Sequence, residues 1–401
     1  MARKTELPSL ADQAWLQNFR LQQVMAALSQ EGGEVRVVGG AVRNSFLGVA
    51  VADVDLATTQ VPADVMRICA DAKFGVHPTG LDHGTVTIVN DGAVFEVTTL
   101  RRDVATDGRR AIVEYSRDWA LDAARRDFTM NALYCDSVGK CYDYTNGYDD
   151  ILKRKLRFVG LASERIEEDF LRILRFFRFH AFYGVGAPDE DGLAACIAKM
   201  QGLQQLSPER IWQELIKLLV APRAIDTLKL MADKNILKLI LPHTDEWRVI
   251  RRLPADAILR LFVLAERPEE MQAVLRLSNA QHQRLLTIAG LPEVSPDLSE
   301  REQQVILYEI GADAYRDSAH LHLAYGRSKL DDPAWVKVLT LPDRWQVPIF
   351  PINGNDIKAL GLAAGPRIGE IMREAQDWWL ASDFKPGKEE LLLRVRQNNG
   401  T

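Results

Sequence analysis

Every β-rich run of this 401-residue chain falls within its first 150 residues, and beyond that point the apolar pattern is helical. "EVRVVGG" reads as a strand ending in glycines, and "DVDLAT" as the start of a second. "GTVTIV" and "AVFEVTT" flank "NDGA", a hairpin signal with Asp91-Gly92 in the turn. "PADVMRICADAK" has helical periodicity, with Pro62 in the first turn, where proline is tolerated. "RRDVATDGRR" lacks apolar periodicity and reads as a mobile loop. After residue 150, "SERIEEDFLRILRFFRFHAFYG" reads as one amphipathic helix, with Ser163 as N-cap and Gly184 just past its end. "SPERIWQELIKLL" starts another, capped by Ser207 with Pro208 in its first turn. Helical patterns continue through 222–240, 256–277, 280–290, 300–311 and 313–325, and "FPINGNDIKALGLAAGPRIGEIMREAQDWWL" adds turn-delimited helices. No internal repeat breaks this order. The fold class is α+β, a small mixed α/β head on a long helical body.

Composition narrows the function classes. With 47% apolar residues the chain can bury substantial cores, and its length suits two to four domains. No apolar run approaches the ~18 residues of a membrane span. The N-terminal "MARKTELPSLADQAW" holds no apolar signal centre. Cys69, Cys135, Cys141 and Cys196 form no CxxC pair and no zinc spacing, which predicts inert thiols in a reducing cytoplasm. A net charge of −5 argues against a general nucleic-acid binder, but the charge is unevenly placed. Residues 101–180 hold 16 basic against 14 acidic side chains, while the remainder holds 34 against 41. An anionic ligand is therefore expected at this middle stretch. Ordinary solvated helix faces explain the same pattern without a ligand.

"GGAVRNSFLGVAVADVDLAT", Gly39 to Thr58, carries the first chemistry. Asp53 and Asp55 point to one face if both lie on a strand, because side chains alternate with period two. Two carboxylates there suit hard cations such as Mg²⁺, which activate an attacking hydroxyl in phosphoryl displacement. Alone, a DxD is more often a surface pair. Gly39 and Gly40 before it open a short helix whose free N–H groups can meet a triphosphate, and Arg43 lies one turn further on. Glu96 in "FEVTT" is a candidate third carboxylate on the same sheet face. In "ARRDFTMNAL", Arg126 with Asp127 can hold phosphate and ribose hydroxyl, or form a local ion pair at a helix start.

"EEDFLRILRFFRF" spaces Glu168, Asp169, Arg172, Arg175 and Arg178 at three and four residues, so they share a helix face. Phe170, Leu171, Leu174 and Phe177 form the opposite, apolar face. Asp169 can accept from an exocyclic amine while Arg172 donates to a neighbouring ring atom, a pattern that cytosine and adenine match. The alternative is a solvated ladder of salt bridges. Three arginines with only two nearby acids exceed what a neutral ladder needs.

Read in order, "GGAVRNSFLGVAVADVDLAT", "RRDFTMNAL", "YDYTNGYDDI" and "EDFLRILRFFRF" resemble the class II tRNA nucleotidyltransferases, a family of CCA-adding enzymes and bacterial poly(A) polymerases. The resemblance covers roughly residues 35–220, with a weaker echo in "INGNDIKALGLAAGPRIGEIM". It implies a polymerase-β-like nucleotidyltransferase head over 1–148, a helical neck over 149–222 that recognises the nucleotide base, and a helical body and tail over 223–401 that bind tRNA. Asp53 and Asp55 would be the catalytic metal ligands, with Mg²⁺ as cofactor. Gly40 and Arg43 would bind the nucleotide's phosphates, and Arg126 with Asp127 its sugar and phosphates. Asp169, Arg172, Arg175 and Arg178 would recognise base and triphosphate, so that the protein itself serves as template. The partners implied are tRNA with CTP and ATP, and neither a membrane nor a protein partner. Asn44 stands where the family writes aspartate, and "HTDEW" at 243–247 is not an HD metal motif.

The acidic chain without a basic tail favours CCA addition over poly(A) synthesis. Enzymes that add only CC or only A share every motif. A catalytically silent RNA-binding scaffold is the alternative from another class, and intact Asp53 and Asp55 argue against it. A DxD glycosyltransferase leaves the arginine-rich helix without a role.

Overall fold

The computed structural model describes residues 6–107, 110–361 and 365–399. The first residues of the N-terminal stretch, positions 108–109 of the expected loop and 362–364 of the tail pattern lie outside them. The chain divides into two units, Met1–His243 with Met271–Leu277, and Thr244–Glu270 with Ser278–Thr401.

All described strands belong to the first unit: β1 (Val35–Val38), β2 (Asp55–Thr58), β3 (Gly75–Gly80), β4 (Thr85–Asn90), β5 (Ala93–Thr99), β6 (Arg101–Asp107), β7 (Arg110–Tyr115), β8 (Leu133–Cys135) and β9 (Cys141–Asp143). Seven form one sheet in the order β3-β4-β5-β2-β1-β8-β9. β1 pairs antiparallel with β2, Val38 opposite Asp55, whereas β2 runs parallel to β5 with Leu56 opposite Val97. The β4–β5 hairpin closes through Asp91 (φ 46°) and Gly92 (φ 80°), the doubly left-handed turn that matches strand twist. Helices α1 (Phe19–Leu28), α2 (Gly40–Leu47) and α3 (Pro62–Asp71) accompany these strands, α3 where its periodicity predicts a helix. Val38, Ala57, Leu100, Trp119, Ala132 and Tyr134 form one of the buried clusters around the sheet.

Two expectations are corrected here. "RRDVATDGRR" is not a loop; its described residues belong to the two-stranded β6–β7 ribbon. Its two strands pair with each other and with no described strand of the main sheet. Its open end is held by Arg101 opposite Tyr115 and by Arg102 donating to Glu114 at 2.7 Å. The helix expected from Ser163 is instead two helices, α6 (Ala162–Glu168) and α7 (Leu171–Tyr183). Leu161 occupies the N-cap of α6, not Ser163. Asp169 breaks the run at φ −158°, ψ 107°, and its carboxylate accepts from the Leu171 N–H, satisfying a donor at the start of α7. Phe170 packs against Gly202, where a Cβ would come 2.0 Å from its ring.

Between the sheet and this region lie α4 (Trp119–Ala124) and α5 (Gly147–Leu152), and after it α8 (Glu190–Lys199), α9 (Pro208–Leu219) and α10 (Ala224–Asp233). Ser207 and Pro208 open α9 as expected, though no side chain caps it. The expected 222–240 helix ends at Asp233 and resumes as a short 3₁₀ turn, Leu237–Leu239. The 256–277 pattern is likewise split, because Pro268 cannot continue the helix Ala257–Leu264. Buried Phe128, Phe158, Phe176 and Phe179 pack ring on ring, with Phe158 stacked on Phe176 at 5.5 Å, and fasten α7 to the segments before it.

The second unit is helical throughout its described residues. Its longest element, Glu300–Tyr325, is broken at Gly311 (φ 80°), which separates the two patterns read at 300–311 and 313–325. Trp335 and Tyr315 centre one core, Trp379 another. No described helix is long and apolar enough to cross a membrane.

Candidate active site

The site lies on the edge of the sheet where β1 ends and β2 begins. Gly39 adopts φ 71°, ψ −114° at the N-cap of α2, a conformation open to glycine, and no side chain occupies the cap. The first turn of α2 therefore keeps its N–H groups for a ligand. Asp55 is the first residue of β2, whereas Asp53 lies before the strand begins, so the strand alternation expected to put both on one face does not extend to Asp53. The parallel β2–β5 register, one step before Leu56 opposite Val97, sets Asp55 beside Glu96. Asp55, Glu96 and Gly39 line one cavity of about 240 Å³ together with His83, Arg101, Arg125 and Arg126.

Burial raises the Asp55 pKa first, and the charges of Glu96 and then Asp53 raise it further against the pull of Arg126. Carboxylates crowded in this way suit a cation. No group of three or more ligating side chains converges into a ready-made metal cage among the described residues.

Arg125 and Arg126 reach the cavity wall from α4 through a shared anchor. Asp122, completely buried, accepts from Arg125 (2.6 Å), Arg126 (2.9 Å) and the Tyr134 hydroxyl (2.7 Å). Burial alone would push its carboxyl up; the two guanidinium charges outweigh burial and hold it at about 2. Asp122 was missed in the sequence, although its spacing of three and four from the two arginines signals it.

Arg126 and Asp127, adjacent in sequence, serve different neighbours. Buried Asp127 accepts from Arg175 (2.6 and 2.8 Å), from Asn131 (3.1 Å) and from the Phe128 N–H (2.8 Å). Burial opposes its ionisation, but Arg175 and these hydrogen bonds keep it at about 2. Arg43 is buried and donates to Asn131 (2.5 Å), Tyr183 (2.9 Å) and Asn44 (2.8 Å), and burial lowers its pKa. It does not line the cavity. Arg178 donates to buried Glu214 on α9 at 2.5 Å, and Arg175 reaches the same carboxylate at 3.7 Å. One network thus joins α2, Asn131, α7 and α9.

The remaining pair is separated. Asp169 is bonded to Arg210 at 2.8 Å, and Arg172 to Glu168 at 2.6 Å, so neither contacts the other as a salt bridge. The excess of positive charge read on this face is also corrected: Asp127 and Glu214, from distant segments, supply the acids that the local count lacked. Glu214 and Arg210 carry no local signal, because their partners stand 36 and 41 residues away, and Asn131 joins a neighbour four residues back to Arg43, 88 residues away.

Comparisons with known proteins point to one family. Residues 35–157 match a family model described as the poly A polymerase head domain, and 187–248 one described as a probable RNA and SrmB-binding site of polymerase A. The chain is 34% identical to a mitochondrial CCA tRNA nucleotidyltransferase 1 of Danio rerio, over 91% of this chain and 88% of that protein. It is 30% identical to a CCA-adding enzyme of Streptococcus pneumoniae, over 93% and 96%. Its fold is similar to a Bacillus stearothermophilus CCA-adding enzyme solved in complex with CTP, with a TM-score of 0.77 at 27% identity over 95% and 97% of the chains. On motif order, site geometry and these likenesses together, the chain belongs to the CCA-adding enzyme and bacterial poly(A) polymerase family of nucleotidyltransferases.

Proposed function

We propose that this chain adds CCA to the 3′ end of tRNA from CTP and ATP. The observation that carries the reading is Asp55 beside Glu96 on parallel strands, facing two arginines anchored on Asp122, in a chain similar over its length to CCA-adding enzymes. The RNA 3′-hydroxyl loses its proton, its oxygen bonds to the nucleotide α-phosphorus, and the bond from that phosphorus to the β-phosphate oxygen breaks to release pyrophosphate. A divalent cation, for which we favour Mg²⁺, activates the hydroxyl and neutralises the developing charge when bound. Asp53 and Asp55 hold it, with Glu96 as the third carboxylate. The N–H groups at Gly39 and Gly40, with Arg126, receive the triphosphate. Arg43, Asp127, Arg175 and Arg178 brace the cradle against α7, where Asp169 and Arg172 read the base edge. The head spans 1–148, the neck 149–222, and the tRNA-binding body and tail 223–401. Four free, buried cysteines suit a reducing cytoplasm.

Incorporation of labelled CTP into tRNA tests this mechanism. Asp53→Ala or Asp55→Ala is expected to abolish addition while tRNA affinity and thermal unfolding stay close to those of the parent. An active double variant contradicts the mechanism.

A further inference from the structure

The cavity has a second wall that phosphate cradle and carboxylates leave unused. Across the sheet the order is β1, β2, β5, β4. Gly39 follows β1, Asp55 opens β2, Glu96 lies on β5 opposite Thr87 of β4, and His83 stands two residues before β4 starts and lines the same cavity. The carboxylates are therefore in the middle, with the cradle on one side and His83 on the other. In phosphoryl transfer the attacking and leaving oxygens lie in line on opposite sides of the phosphorus. A triphosphate seated at Gly39 and Arg126 sends its leaving group toward β1, so the attacking hydroxyl must approach from the side of β4.

What stands on that side is built for a single strand of RNA. Arg101 lines the cavity and its guanidinium donates to the His83 carbonyl, tying the first residue of β6 to the turn before β4. Tyr115, opposite Arg101 in the ribbon, is 40% exposed. Its ring lies against Gly84, where a Cβ would come 3.0 Å from the ring edge, and the left-handed φ of 72° further favours glycine there. A half-exposed aromatic ring opposite an arginine and against the glycine that follows His83 offers a base-stacking surface and a cation for the backbone, the combination that holds unpaired nucleotides.

We infer that His83, Arg101 and Tyr115 form the seat of the acceptor RNA's 3′-terminal nucleotide, opposite the seat of the incoming nucleotide. The inference rests on the proposed nucleotidyl transfer and adds where its second substrate lies. Tyr115 stacks the terminal base, and Arg101 and His83 take the phosphate behind it.

The test measures KM for tRNA lacking CCA and KM for CTP separately, with Mg²⁺ and the full chain, in the parent and in Tyr115→Leu, Tyr115→Phe and His83→Ala. Loss of one stacked base predicts a rise of roughly 5- to 150-fold in the tRNA KM of Tyr115→Leu, with the CTP KM unchanged. Tyr115→Phe keeps the ring and retains the parent's tRNA KM, and His83→Ala raises it. Unfolding curves matching the parent's confirm that these exposed positions leave the fold intact. An unchanged tRNA KM in Tyr115→Leu, or a rise confined to the CTP KM, overturns the seat while the parent remains an active transferase. A parent that incorporates no CTP overturns the transferase reading beneath it.

Discussion

Asp127→Asn probes the network that joins the head to α7. The carboxylate is buried, ionised at pH 7, and receives two bonds from Arg175, one from Asn131 and one from a backbone N–H. Lowering its pKa from 3.8 to about 2 corresponds to about 2.5 kcal/mol of stability in the ionised state. Breaking a buried pair from one side costs about 3–5 kcal/mol, because the other charge is stranded. Asparagine keeps one acceptor of the same shape, so the expected loss at pH 7 is about 2–4 kcal/mol. The sign follows from the depressed pKa: the contribution is fully present above the unfolded carboxyl value near 4 and disappears as pH falls toward 2. Urea unfolding at about pH 7 and again near pH 3 measures both quantities. The parent should lose stability across that window more steeply than Asp127→Asn, and the two curves should converge in acid. A variant within about 1 kcal/mol of the parent at pH 7, or one with the same acid slope, refutes the reasoning and makes this pair a solvated one.

If Asp169 reads the base edge as proposed, Asp169→Ala removes the acceptor for the amine that separates cytosine from uracil and adenine from guanine. Discrimination of CTP over UTP should fall roughly 5- to 150-fold in single-nucleotide incorporation, and an unchanged ratio would leave Asp169 its structural bonds to Arg210 and to the Leu171 N–H. Gly147→Ala would place a Cβ 2.0 Å from the Thr129 carbonyl, behind the cradle, and should cost about 1–3 kcal/mol in urea unfolding; an unaffected variant would mean that this close approach is not rigid.

The local features of the head were legible because their causes are local. Asp91-Gly92 sets its hairpin by backbone conformation, Gly39-Gly40 ends a strand and opens a helix, and the pattern of β2 places Asp55 at a strand start. Glu96 was legible as a candidate, though its place beside Asp55 depends on a parallel pairing across some 40 residues of chain. The site's charge balance was not legible, because Arg175 and Arg178 find their acids at Asp127 and Glu214, on other segments. The break at Asp169 was hidden by helical periodicity that continues unchanged on both sides of it. The β6–β7 ribbon was hidden because its strands pair with each other outside the main sheet and show no apolar periodicity of their own.

The central claim is the identity and number of nucleotides added, and one measurement reaches it directly. Purified protein is given tRNA transcripts ending before CCA, after C and after CC, each with every nucleoside triphosphate singly and in mixture. The account predicts two cytidines and then one adenosine, a single adenosine on the CC-ended transcript, and termination. Long adenosine tails, a stop after CC, or activity on the CC-ended transcript alone would contradict it.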